Sequence, residues 1–136
     1  MDYKARCEYL EDRIKHLNLI GIALSSEENI NALFEMIMDE AKHITNADGR
    51  TLYMKNEDGK TMDFEIVRTD SMSLIMGGTS GNKINWPSIP LFDDEGKPNH
   101  KTVVTYAANT GKTANADDAF GEKGFDFSGA KNVDKT

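Results

Sequence analysis

The stretch Thr51-Leu52-Tyr53-Met54-Lys55-Asn56-Glu57-Asp58-Gly59-Lys60-Thr61-Met62-Asp63-Phe64-Glu65-Ile66-Val67 decides the fold. Thr51 to Met54 is rich in residues that suit a pleated, half-buried surface, and reads as a strand. Asn56 to Lys60 concentrates residues that tolerate positive φ, and reads as a turn. Met62, Phe64 and Ile66 then alternate with Asp63 and Glu65, the period of a strand with one face inward. Two strands joined by so short a turn form an antiparallel hairpin.

Towards the N-terminus the period changes. Ile30, Leu33, Phe34, Ile37, Met38, Ala41 and Ile44 recur at three- and four-residue steps, one apolar stripe of a helix. Ser25 with Glu28 predicts a capping box at its start, and Gly49 is available for a left-handed turn after its end. Before it, Tyr3, Cys7, Leu10, Ile14, Leu17, Gly21 and Leu24 form the a/d seam of a coiled coil over about three heptads. The expected organisation is a dimerising and signalling helix over residues 1–24, then a domain over 25–136. Gly21 weakens the seam helix by about 1 kcal/mol relative to alanine.

Towards the C-terminus, Ser73 to Met76 predicts a third strand and Gly77 to Asn82 a mobile loop. Pro87 and Pro90 impose extended backbone on Trp86 and Ile89, and Asp93 to Gly96 reads as a turn. Asn99 is the expected N-cap of a helix over 100–109, with Val103, Val104 and Ala107 inward and Gly111 past its end. Beyond Ala116 the chain reads as loop, anchored by Phe120, Phe125 and Phe127. The expected fold class is α+β: an antiparallel sheet backed by helices, led in by a coiled-coil-like helix.

The net charge of −7 argues against a nucleic-acid backbone, which calls for a net basic face, and against an anionic membrane surface. No run is long enough to span a membrane. Cys7 is the only cysteine, so no intrachain disulfide forms, and the expected compartment is the reducing cytoplasm.

The catalytic motifs fail one by one. Gly111-Lys112-Thr113 matches the end of a phosphate-binding loop, but the motif calls for glycine at the position of Tyr106. The Gly77–Asn82 loop could present backbone amides to an anion, but no strand–loop–helix dinucleotide unit surrounds it. His16, His43 and His100 are far apart in sequence and show no metal-ligand spacing, so no metal site is expected. Asp93, Asp94 and Glu95 read as a solvent-facing turn. Asp117 and Asp118 leave a cation-dependent enzyme as a remote alternative. The expectation is a non-enzyme.

The order of features resembles the entry to GAF domains, over roughly residues 17–136. A lead-in helix is followed by Leu-Ser-Ser-Glu-Glu, a striped helix, and Ala47-Asp48 opening a strand. Phe64-Glu65-Ile66-Val67, Met76-Gly77-Gly78-Thr79-Ser80-Gly81, Pro98-Asn99-His100 and Thr110 to Phe120 continue the pattern. The resemblance is to GAF domains of bacterial signalling proteins, of the kind that precede HD-type phosphodiesterase, nucleotide cyclase or sensor kinase modules. It implies a GAF/PAS-like sheet, a sensory role, a homodimer through residues 3–24 and an output domain outside this chain. It also implies a pocket for a small molecule, such as a nucleotide. Carried over by position, the pocket wall is Ile75, Met76, Val103, Val104, Asp118, Phe120, Phe125, Phe127 and Ser128.

Ile75-Met76 stands where cyclic-nucleotide binders carry Phe-Asp, and no cysteine lies near the pocket for a bilin, so the ligand stays open. Family members continue past the position of Thr136 with two more strands and a helix, and the expectation is that the domain is cut there. A purely structural dimerisation module is the alternative to a sensor.

Overall fold

The computed structural model describes residues 2–118, 121, 124 and 125. Among them are three helices and four strands: α1 (Tyr3–Ser26), α2 (Ile30–Thr45), β1 (Gly49–Lys55), β2 (Thr61–Thr69), β3 (Leu74–Gly77), β4 (Ile89–Pro90) and α3 (Val103–Thr110). The strands form one sheet in the order β1-β2-β3, with β4 also paired to β2. The class is α+β with a long N-terminal helix, as the period change along the sequence predicts.

The chain divides into two compact units, Met1–Leu52 with Glu65–Ile84, and Tyr53–Phe64 with Asn85–Thr136. In the first unit, β2 and β3 run antiparallel, with Ile66 opposite Gly77 and Thr69 opposite Leu74. Met38 of α2 and Ile66 and Val67 of β2 are its buried apolar residues. Each fully buried side chain of this kind contributes about 1.5–3 kcal/mol. Leu19, Ile20, Ala23 and Leu24 of α1 share an apolar groove with Leu33, Met36 and Ile37 of α2.

The helix boundaries differ from expectation for a local reason. Ser25 does not cap α2. Its hydroxyl donates back to the Gly21 carbonyl at 2.8 Å, and Ser26 does the same to Ile22. This back-bonding occupies both hydroxyls within α1, which runs on to Ser26 and leaves neither serine to cap α2. The cap of α2 is Asn29, whose side chain accepts from the amides of Asn31 and Ala32. At the other end the left-handed residue is Asn46, with φ 54°, while Gly49 opens β1. Asparagine is the residue after glycine that best tolerates this conformation.

In the second unit the turn between β1 and β2 closes as expected. The Asn56 amide donates to the Thr61 carbonyl at 3.0 Å, and Gly59 takes φ +72°. Tyr53, Phe64 and Trp86 pack in series, with ring centroids 4.8 and 5.1 Å apart. β4 pairs with β2 through Thr61–Pro90 and Met62–Ile89. Leu91, 1% exposed, follows it, its amide donating to the Lys60 carbonyl at 2.8 Å.

The N-cap of α3 is Thr102 rather than Asn99. Thr102 and Thr105 form a reciprocal capping box. Asn99 is otherwise engaged, donating from Nδ2 to the Pro90 carbonyl at 2.9 Å and accepting from the Lys101 amide. The deepest residue of α3 is Thr105, fully buried, whereas Val103, Val104 and Ala107 are half-buried. Its hydroxyl is consumed inside the helix turn by Thr102, which makes the burial of a polar group tolerable. Gly111 ends the helix with φ 66°, the role its position predicts.

Candidate functional site

In the first unit a cleft of about 250 Å³ lies among Glu35, Met38 and Asp39 of α2, Ile66 and Arg68 of β2, Ile75 of β3, and Thr79 and Ser80 of the following loop. Its polar centre is the Glu35 carboxylate. Arg68 Nη2 donates to Glu35 Oε1 at 2.7 Å, the Thr79 amide donates to the same oxygen at 2.8 Å, and the Thr79 hydroxyl donates to Oε2 at 2.7 Å. Arg68 is fixed from its other side, with Nη1 donating to the carbonyls of Met76 at 2.6 Å and Val67 at 3.0 Å.

The Gly77–Asn82 loop therefore does present an amide to an anion, and the anion is the chain's own Glu35. The two glycines make this closure feasible. Gly77 takes φ +71° and a Cβ there would strike the Glu65 carbonyl; Gly78 takes φ +58° and a Cβ there would strike Glu35 Oε1. Within the loop, the Gly77 amide donates to the Asn82 carbonyl and Asn82 Nδ2 donates to the Ile75 carbonyl, both at 2.8 Å.

These contacts favour the ionised carboxylate. The Thr79 hydroxyl, then its amide, then the Arg68 charge hold the Glu35 pKa below the ordinary glutamate value, against partial burial.

A second charged group flanks the cleft. Arg50 donates to Asp70 at 3.2 Å and to Asp39 at 3.1 Å, and Lys42 pairs with Asp70. Asp48 accepts from the amide and hydroxyl of Ser71 at 2.8 and 2.6 Å. The pKa of Asp70 is lowered chiefly by Lys42, and that of Asp48 chiefly by the Ser71 hydroxyl. Carboxylates whose pKa is lowered by their partners suit structural pairing better than proton transfer near neutral pH, which calls for a poised pKa.

Of the wall implied by resemblance, Ile75 lines this cleft, and Met76 is half-buried and reaches it through its carbonyl, on Arg68. Val103 and Val104 lie in the first turn of α3 and Phe125 beyond it, all in the second unit. There Phe125 packs edge-on to Tyr106 at 5.6 Å, and Tyr106 in turn meets His100 at 5.9 Å. Asp117 and Asp118 are exposed, and the Asp118 carbonyl accepts from the Gly121 amide. Phe120, Phe127 and Ser128 lie outside the described residues.

Sequence reasoning missed Glu35, Arg68 and Thr79 as a group. The glycine pair was the available signal for an anion cradle, but nothing local pointed to a partner 44 residues away. It also separated the histidines. Here His16 and His43 stack with ring centroids 4.3 Å apart, and Asp12, one helical turn before His16, stands beside both. The four-residue spacing of Asp12 and His16 was legible on one helix face; the arrival of His43 was not.

No family model matches the sequence, and neither a curated protein nor a solved structure matches it.

Proposed function

We propose that this chain is a GAF-like sensory or regulatory module, dimeric through α1, that couples occupancy of its Glu35–Arg68 cleft to an output domain. The observation that carries the reading is the state of α1. It is 24 residues long and buries none of them. Along the proposed seam, Tyr3 is 83% exposed, Ile14 57% and Leu17 62%. The half-buried residues Arg13, His16, Ile20, Ala23 and Glu27 form the neighbouring stripe; of the seam itself, Cys7 is half-buried and Leu24 shares the groove with α2, while Tyr3, Leu10, Ile14 and Leu17 stay exposed. A row of aliphatic side chains at heptad spacing gains most by meeting a second copy of itself.

The cleft supports the sensory half of the reading. It joins α2, β2, β3 and a glycine loop, and the Arg68 guanidinium with the carboxylates of Glu35 and Asp39 gives it the few convergent polar groups of a small-molecule site. A ligand that prefers one arrangement of these elements would shift their population, and α2 follows α1 directly in the chain. A second reading, a structural dimerisation module without ligand, draws on the fact that Glu35 and Arg68 already satisfy each other.

Sedimentation equilibrium tests the dimer: the expected mass is twice that of the chain, and a strict monomer at high concentration would sink the proposal. Thermal-shift measurements with a panel of nucleotides and small anionic metabolites separate the two readings. A saturable shift that is lost in Arg68→Met supports the sensor, and a uniform absence of shift supports the structural module.

A further inference from the structure

Asp12, His16 and His43 bring one ligand atom each to within 4.8 Å of the other two. Asp12 and His16 occupy successive turns of α1, while His43 comes from the last turn of α2. Asp12 Oδ1 stands 3.5 Å from His16 Nδ1, and Asp12 Oδ2 stands 3.9 Å from His43 Nε2. The two imidazole planes are inclined by 22°. His16 Nδ1 also lies 3.0 Å from the Asp12 carbonyl oxygen; with Nδ1–H donating there the ring is oriented and Nε2 is the nitrogen left for an ion, the division of roles seen in metal-binding histidines with outer-sphere partners.

Two imidazoles and one carboxylate are the donor set of zinc-class cations. Calcium and magnesium prefer oxygen donors throughout. Tetrahedral zinc with bonds of 2.0–2.1 Å places its ligand atoms about 3.4 Å apart, so closing the cluster onto an ion takes side-chain rotations that turn the two stacked rings edge-on to a common point. The side chains of Asp12 and His43 are 60% and 56% exposed, which gives them room to rotate and gives the ion an entry path. Three protein ligands leave a fourth position for water.

We propose that Asp12, His16 and His43 bind one divalent cation of the zinc class, tying α1 to α2. The site uses none of the residues of the Glu35 cleft, and the inference holds whether or not that cleft takes a ligand. Its consequence is mechanical: a bound ion fixes the rotation of α1 against its neighbour and so fixes where the apolar seam points.

The test is titration of the full chain with Zn²⁺ and with Co²⁺, whose visible absorption reports coordination. The expected result is saturable binding of one ion per chain, weakened about tenfold or more in Asp12→Asn and in His43→Gln, and unchanged in His100→Gln. In the unaltered chain, Zn²⁺ should shift the imidazole proton resonances of His16 and His43 and leave those of His100 in place, a readout that does not depend on any variant folding. Absence of saturable binding, binding unaffected by His43→Gln, one ion per two chains, or equal shifts at all three histidines each overturns the proposal.

Discussion

Replacing Glu35 by alanine removes three charge-assisted hydrogen bonds at once, one from Arg68 and two from Thr79. Each bond to a charged group contributes about 1.5–3 kcal/mol in isolation, but bonds sharing one carboxylate are not additive. The Glu35 side chain is 23% exposed and that of Arg68 13%, so solvent screens part of the interaction. Arg68 keeps its bonds to the Met76 and Val67 carbonyls, which holds the cost below the roughly 3–5 kcal/mol of stranding a fully buried ion. The expected loss is about 2–3 kcal/mol.

In urea, with a slope of about 1–3 kcal/mol per molar for a chain this small, that is a fall of about 1–3 M in the midpoint. Glu35→Gln, which keeps an acceptor for Thr79 but no charge, should fall between the two. The pH dependence gives a second reading of the same contact. The folded pKa of Glu35 is lowered, by Thr79 first and Arg68 second, so its stabilisation is complete above the unfolded value and is lost as pH falls through the folded one. Unfolding midpoints below the ordinary carboxylate range should therefore decline more steeply in the unaltered chain than in Glu35→Gln. A loss under about 0.5 kcal/mol in Glu35→Ala, the range of an ordinary surface substitution, would refute the assignment of Glu35 as the anchor of the glycine loop.

Gly77→Ala should destabilise strongly in the same urea assay, because the new Cβ meets the Glu65 carbonyl; Gly81→Ala, at φ +77° with nothing within 4 Å, should cost only the about 1–2 kcal/mol of the left-handed backbone. Thr105→Val removes the hydroxyl that completes the capping box of α3 while keeping the buried volume, and an expected loss of about 1–2 kcal/mol is measurable by thermal unfolding. Leu17→Lys places a charge in the exposed seam of α1; if the proposed dimer forms through that seam, sedimentation should show it lost while far-UV circular dichroism keeps its helical signal.

What the sequence made legible follows from the range of the forces involved. The hairpin of β1 and β2 was readable because alternation and the Asn-Glu-Asp-Gly turn are local, and Gly111 because a helix end leaves few uses for a glycine. The caps were harder. Ser25, Asn29, Asn99 and Thr102 are all competent N-caps, and the choice among them rests on competing bonds. Ser25 is drawn back to Gly21, and Asn99 is drawn to the Pro90 carbonyl, a residue placed by strand pairing. The Glu35 cleft and the His16–His43 stack were out of reach because each is assembled by tertiary contact between residues with no shared local pattern. In the cleft, the resemblance placed Ile75 at the wall but supplied neither charge.

The closure of the glycine loop on Glu35 also constrains the order in which this chain could change. A side chain at position 78 collides with the Glu35 carboxylate, whereas shortening residue 35 collides with nothing. Losing the glutamate first removes the clash, leaving at position 78 only the strain of a left-handed backbone at φ +58°, about 1–2 kcal/mol. The opposite order passes through an intermediate with a clash and an intact charge pair resisting it. Glu35 is thus the gate to variation at Gly78, and homologues that have lost the glycine should be found to have already lost the acid.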